Sequence, residues 1–217
     1  MPTRPVRLET ESESGGRGGP PQQARSRRTR ERIVEAATEC FDRHGYDDTT
    51  TAMIARSAGI AVGTLYGHFA DKREVLFVIV GRFADELDSI VRERLAPPEI
   101  RSHDPRAQAD ALIDAVFHLQ TLRPGIQRVL WERYFKDPEF RAVMDATRSR
   151  TAEAVVAFCA AIDPALLRGP VDEVAARTIV HGVEWNAVHA HLDGSPEEID
   201  AAAVSSAEMI ARFLFRD

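Results

Sequence analysis

Thr50-Thr51-Ala52-Met53-Ile54-Ala55-Arg56-Ser57-Ala58-Gly59-Ile60-Ala61-Val62-Gly63-Thr64-Leu65-Tyr66-Gly67-His68-Phe69 carries the densest structural signal in the chain. Thr50 has the hydroxyl that an N-cap needs, so a short helix is expected over 51–58. Gly59 breaks it, Ile60 is apolar, and a second short helix is expected over 62–68. A helix-turn-helix needs a small residue where its helices cross, a glycine or similar at the turn, and apolar residues that lock the pair. Ala55 and Gly59 fill the first two roles, and Ile54, Ala58, Ile60 and Leu65 supply the lock. This packing leaves Gly63, Thr64, Tyr66 and His68 on the outer side of the second helix, with Lys72 opening the next. All are small or polar groups able to reach phosphate or base edges. Spacing alone also fits an ordinary αα-corner with Tyr66 and His68 half-buried.

Upstream, from Thr29 onward, Ile33, Ala36, Ala37, Cys40 and Phe41 recur on one helical stripe that Gly45 closes as a C′ residue. Downstream, Asp71 caps a longer helix with Glu74 three residues on, and Val75, Leu76, Ile79, Phe83, Leu87, Ile90 and Val91 carry its stripe to about Leu95, where Pro97 and Pro98 stop it. Helical patterns follow over about 105–122, 124–135, 138–162, 171–192 and 196–215, each bounded by Gly or Pro. No segment alternates as a strand should. The expected fold is all-α, with about nine helices. Residues 1–24, rich in Gly and Pro with little to bury, read as a disordered tail. A helix-turn-helix domain is expected over 25–71 and a larger helical domain over 72–217.

With 217 residues, 44% of them apolar, the chain can build a sizeable core, which excludes a disordered or fibrous protein. The longest apolar run, Ala154 to Ile162, is nine residues, about half of what a bilayer-spanning helix needs, so a soluble, cytoplasmic protein with no membrane partner is expected. Cys40 and Cys159 cannot build a disulfide framework and sit in no metal-ligand spacing. Cys40 and His44 share a helix face as a nucleophile and base would, but Cys40 belongs to the apolar stripe and His44 lies where it can meet the last carbonyls of its helix. His189 and His191 point to different sides of one helix, and no carboxylate completes a ligand set with His181. No catalytic residue, metal or cofactor is expected.

Net charge is −6, but it is divided: +2 over residues 1–82 and −8 over 83–217. Arg25, Arg27, Arg28, Arg30 and Arg32 fall within eight positions, a density suited to phosphate contact and equally consistent with a solvated basic arm.

The stretch from Thr29 through Phe41, His44-Gly45-Tyr46, Thr49-Thr50, Ile54-Ala55, Ala58-Gly59-Ile60, Gly63-Thr64-Leu65-Tyr66, His68-Phe69 and Asp71-Lys72 resembles the TetR family of bacterial transcriptional regulators over about residues 29–76. The resemblance implies a dimer with an N-terminal DNA-binding domain and a C-terminal domain for effector binding and dimerisation. It implies phosphate contacts at Thr50, Tyr66, His68 and Lys72, and phosphate or base contact at Thr64. Gly63 would let the backbone approach DNA closely. Where the family often has long polar or aromatic side chains, this chain has Val62 and Gly67, and Ala61 replaces the usual serine. Direct readout is therefore thin: Val62 can contact a thymine methyl, and shape and phosphate positioning would supply the rest. Arg28 and its neighbours could reach an adjacent minor groove.

In the C-terminal part, Phe140, Met144, Thr147, Thr151, Ala154, Val155, Phe158 and Ile162 form one stripe interrupted by two threonines. Their hydroxyls either bond the backbone one turn earlier or orient a mostly apolar ligand. Candidate ligand-binding residues are Phe83, Leu87, Phe117, His118, Trp131, Tyr134, Thr147, Thr151 and Phe158. The last two helices are apolar or small on more than one face, which suggests an isologous dimer interface through Val174, Gly182, Trp185, Val188, Leu192, Ala203, Ser206, Ile210 and Phe213. The expected function is a dimeric repressor that binds a palindromic operator in double-stranded DNA and is released by a small-molecule effector. The alternatives are a DNA-bound regulator whose C-terminal domain docks a protein partner, or a helical enzyme.

Overall fold

A computed structural model of the chain describes residues 20–95, 104–119 and 124–216. Among them lie nine helices and no strand: α1 (Pro20–Asp48), α2 (Thr51–Ser57), α3 (Val62–Tyr66), α4 (Lys72–Arg94), α5 (Pro105–Leu119), α6 (Pro124–Lys136), α7 (Pro138–Ala160), α8 (Glu173–Asp193) and α9 (Pro196–Leu214). The caps explain the boundaries. Asp71 accepts from the Glu74 amide at 2.8 Å, Asp172 from Ala175 at 2.8 Å, and Ser195 forms a capping box with Glu198 behind Pro196. Gly45 takes φ 72°, a left-handed break inside α1 where the C′ glycine was expected.

The first helix begins at Pro20, nine residues before the expected Thr29, so residues 20–24 belong to a helix and not to the tail. Proline suits a first helical turn, and Gln22, Gln23, Ala24 and Arg25 have high helix propensity, so a helix nucleated on the Ile33 to Phe41 stripe propagates backwards with no apolar face of its own. The rest of the expected tail, the Pro97-Pro98 stop and the end of the 105–122 pattern lie outside the described residues.

Two cores form. One holds Phe41, Ile54, Leu65, Phe69, Val75, Leu76 and Val80, and continues through Ile126, Val129 and Leu130 of α6 to Phe140 and Met144 of α7. Packing therefore runs straight across residue 71, so the helix-turn-helix shares its core with the first half of α4, with α6 and with the start of α7. The other core joins Ile113 and Phe117 of α5 to Val155 and Phe158 of α7, Val183 and Ala187 of α8, and Ala203, Ile210 and Leu214 of α9. Helix α4, 23 residues and about 34 Å long, starts in the first core and ends beside the second.

The seam between α1 and α6 is specific. The Gly125 amide donates to Asp42 Oδ1 at 3.0 Å, and a β-carbon on Gly125 would meet the Asp42 carbonyl oxygen at 2.1 Å. Arg133 pairs with Asp47 at 3.2 Å and lies 4.5 Å above the Tyr46 ring. Gly125→Ala has no room without parting the two backbones and should destabilise the fold by about 1–3 kcal/mol, read as a lower urea midpoint. A variant as stable as the parent would mean that the seam is not a close contact.

Candidate DNA-binding face and ligand cavity

Helices α2 and α3 meet as a helix-turn-helix. Ile54, Ala55 and Leu65 are fully buried between them, and Gly59 makes the turn at φ 63°. Arg32 of α1 reaches across and donates through Nη2 to the Ala58 carbonyl. Thr50 caps α2 by accepting from the Met53 amide at 3.2 Å, which leaves its own hydroxyl proton to give outward. On the outer side of α3, Val62 is 40% and Tyr66 54% exposed, and Gly63 and Thr64 are exposed beside them. The Tyr66 hydroxyl and Thr51 Oγ1 are 3.0 Å apart, a brace between α3 and the start of α2. His68 is half-buried at the edge of this face.

Two groups of basic residues are placed differently from expectation. Lys72 donates to three carbonyls at the end of α1 and the following loop: Tyr46 at 2.7 Å, Asp47 at 3.1 Å and Thr49 at 2.7 Å, with its Nζ 4.5 Å from the Tyr46 ring centre. An ammonium has three protons and all three have acceptors here, so the position that the resemblance gives to phosphate contact is occupied by an internal clamp. Arg30 stacks over Phe69 at 4.4 Å and Arg32 caps α2, while Arg25, Arg27 and Arg28 are exposed on the first turns of α1. Those three are helical. A helix is 10–12 Å across with side chains and a minor groove about 6 Å wide, so side chains alone could enter one.

The residue after the Lys72 clamp makes a second tie. Arg73 binds Asp137 through Nε at 2.9 Å and Nη2 at 3.1 Å, and Glu139 at 2.7 Å, while Asp137 also caps α7. The Arg73 hydrogen bonds and the α7 amides hold the Asp137 carboxyl near 2. A carboxyl lowered by folding contributes stability at neutral pH that is lost as pH falls through its folded value. Between about pH 4 and pH 2, Asp137→Asn should therefore lose less stability than the parent in urea unfolding at stepped pH. Parallel losses would detach the tie from acid unfolding.

A cavity of about 90 Å³ lies between α4, α5, α7, α8 and α9. Phe83, Leu87, Thr147, Thr151 and Phe158 line it, as the sequence suggested. Phe117 does not, being fully buried within the second core, and His118 has a side chain outside the described residues. Trp131 and Tyr134 lie instead on the far side of Arg148, over whose guanidinium their rings sit at 5.2 and 4.6 Å. The two polar residues missed are Arg148 and Glu184, joined by a bidentate pair at 2.7 and 2.9 Å, with a further Arg148 bond to Asp145 at 2.9 Å. Their signal was present. Arg148 stands at helical spacing inside an otherwise apolar and threonine stripe, and Glu184 stands one turn after Val180 beside Val183, on the side of α8 that is otherwise aliphatic. Both threonine hydroxyls donate one turn back, Thr147 to Val143 and Thr151 to Thr147, each at 3.1 Å.

The model of the bacterial regulatory proteins of the tetR family matches residues 33–79, the span from α1 into α4. TtgW of Pseudomonas putida, an uncharacterized HTH-type transcriptional regulator, is 44% identical over 57 residues, which are 26% of this chain and 42% of that protein. The chain matches less than half the length of such curated relatives. SmeT, the repressor of the Stenotrophomonas maltophilia multidrug efflux pump SmeDEF, shares the fold with a TM-score of 0.70 at 23% identity, over 88% of this chain and 93% of its own. PfmR of Thermus thermophilus, a TetR-family transcriptional regulator, does so with a TM-score of 0.68 at 23% identity, over 85% of this chain and all of its own. Over residues 33–79 the chain is similar to the TetR family. These relatives are transcriptional regulators and not enzymes.

The apolar residues of α8 and α9 divide into two sets. Val188, Ala203, Ser206 and Ile210, expected at a dimer interface, are buried within the chain itself: Val188 of α8 lies beside α6, and α9 turns the other three toward α5 and α8. Gly182 and Leu192 are half-buried. Val174, Trp185 and Phe213 are exposed at 61%, 57% and 56%, together with Val204 and Met209. Trp185 continues outward into an aromatic group, 5.6 Å from Trp131 and stacked 6.4 Å from His189. Cys40 and Cys159 are buried, and burial pushes both thiols up, Cys159 to about 11, which leaves neither poised as a nucleophile. Among the described residues no cluster of three or more His, Cys, Asp or Glu is placed to hold a metal ion, and no helix is long and apolar enough to cross a membrane.

Proposed function

We propose that the chain is an operator-binding repressor that acts as a dimer and is released from double-stranded DNA by a small molecule in the α4–α7–α8 cavity. The observation that carries this reading is α4. Its first turn is clamped by Lys72 to the end of α1 and the loop that leads into α2, and by Arg73 to α7, and its second half, through Phe83 and Leu87, walls the cavity. A ligand that displaces the distal half of α4 would tilt its proximal end and move α3, favouring a state unable to engage both half-sites. SmeT, whose fold is similar, is itself a repressor. Thr50, Val62, Gly63, Thr64, Tyr66, His68 and Arg28 form the DNA face in this reading, and Lys72 supports it from behind. The exposed residues of α8 and α9 pair two copies, and a two-fold dimer reads a palindrome.

Footprinting the purified protein on the DNA upstream of its own gene tests the reading directly. A protected palindrome supports it, and no protection at low salt overturns it. Gly63 offers a second test, because nothing lies within 4 Å of where its β-carbon would be. Gly63→Ala should raise stability by about 0.5–1 kcal/mol, as alanine does in a helix, yet weaken operator binding because the added methyl faces the DNA backbone. Stability is read by urea melts and binding by fluorescence anisotropy. Unchanged affinity would mean that α3 does not come close to DNA.

A further inference from the structure

We infer that the α4–α7–α8 cavity takes an apolar molecule bearing a protonated amine, held by the Glu184 carboxylate and the Thr151 hydroxyl. The inference rests on the proposal that this cavity is the effector site. The wall is aliphatic and aromatic except at Thr147, Arg148, Thr151 and Glu184. Arg148 is 9% exposed and faces two carboxylates, Glu184 on the cavity wall with 20% of its side chain exposed and Asp145 outside the lining with 49%, so the three charges sum to −1, part of it shared with solvent at Asp145. A ligand ammonium brings that sum to zero. A ligand carboxylate has to draw Arg148 away from Glu184, leaving a carboxylate with little solvent and no counter-charge, a costly arrangement. An alcohol finds an acceptor but leaves the charge uncompensated.

Hydrogen-bond capacity points the same way. Each Glu184 oxygen accepts one Arg148 bond and a carboxylate accepts about four in all, so about two positions remain. Thr151 gives its proton to the Thr147 carbonyl, so its hydroxyl can meet a ligand only as an acceptor. Thr147 gives its own proton to Val143 and accepts from Arg150. Neither threonine offers a donor, Arg148 spends three of its five N–H groups on carboxylates, and the open acceptor positions of Glu184 and Thr151 ask for a ligand donor.

At about 90 Å³ the cavity is smaller than the engineered 150 Å³ site that accepts benzene, so occupation has to move its walls. The movement is observable without a label. The chain has two tryptophans; Trp131 lies 5.2 Å from the Arg148 guanidinium, and Trp185 packs on Trp131 at 5.6 Å.

The test titrates the full chain with phenylbutylamine, phenylbutanol and phenylbutanoate, which differ only at the polar end. Binding is followed by calorimetry and tryptophan fluorescence, and operator release by anisotropy. The amine should bind at least about tenfold more tightly than either analogue, given the cost of setting like charges together. Glu184→Gln should abolish that preference. Thr151→Val, which leaves the ion pair intact, should weaken amine binding about threefold to tenfold, the value of one hydrogen bond. Tighter binding of the carboxylate, equal binding of all three, or binding of none overturns the amine assignment. Amine binding that leaves the operator bound keeps this inference and removes the ligand-released reading; carboxylate binding that releases the operator does the reverse.

Discussion

Trp185→Asp should yield a monomer whose operator affinity is lower by about 10² to 10⁴, the range that linking two binding modules typically adds. Two half-sites one helical turn apart, roughly 34 Å, have to be engaged together for tight binding, and a monomer reads one of them. The side chain is 57% exposed, among an apolar set on α8 and α9 larger than an isolated chain needs to leave in water. A carboxylate there gains nothing from solvent once a second copy covers it, and its repetition across the two-fold places like charges in one interface. Trp185 also touches Trp131 within its own chain, so Val204→Asp and Phe213→Asp serve as companions, at 68% and 56% exposure. Sedimentation gives the oligomeric state and circular dichroism the integrity of the helices. If all three variants stay dimeric, the interface lies elsewhere; if the monomers bind the operator undiminished, one half-site suffices.

What the sequence told and what it withheld follow from the range of the signals. Caps and breakers act within a turn, so Asp71 with Glu74, Asp137 with Pro138 and Ser195 with Pro196 were readable as helix starts, and the turn at Gly59 announced itself through the need for φ of 63°. The orientation of a helix that is apolar on two sides depends on neighbours distant in sequence. Ile210 and Phe213 both look like interface residues on α9, yet α5 takes the first and leaves the second in solvent. Trp131 and Tyr134 have the aromatic character of a cavity lining, whereas the guanidinium of Arg148 holds them on its outer side, 36 residues in sequence from the Glu184 that fixes it. The Lys72 clamp depends on carbonyls 23 to 26 residues away, which local pattern cannot supply.

Operator binding should fall by about 10³ to 10⁵ between 50 and 200 mM salt if the dimer meets on the order of 6 to 10 phosphates, because each neutralised phosphate releases counterions. The slope of log affinity against log salt counts cationic contacts, and it separates two groups of residues that both look like phosphate ligands in the sequence. Arg28 is exposed with no partner among the described residues, so Arg28→Gln should flatten the slope by about 0.9 for each half-site. Lys72 has its three protons on the carbonyls of Tyr46, Asp47 and Thr49, so Lys72→Met should leave the slope where it was. The same substitution should still lower affinity at every salt concentration, because the end of α1, the Thr50 cap and the start of α4 lose their common anchor. It should lower the melting temperature as well, since three carbonyls lose a charged donor. A flat salt response in the parent chain would remove the DNA-binding reading altogether. A slope that drops with Lys72→Met as far as with Arg28→Gln would mean that the ammonium leaves its carbonyls for phosphate on binding, which makes the clamp a feature of the DNA-free state.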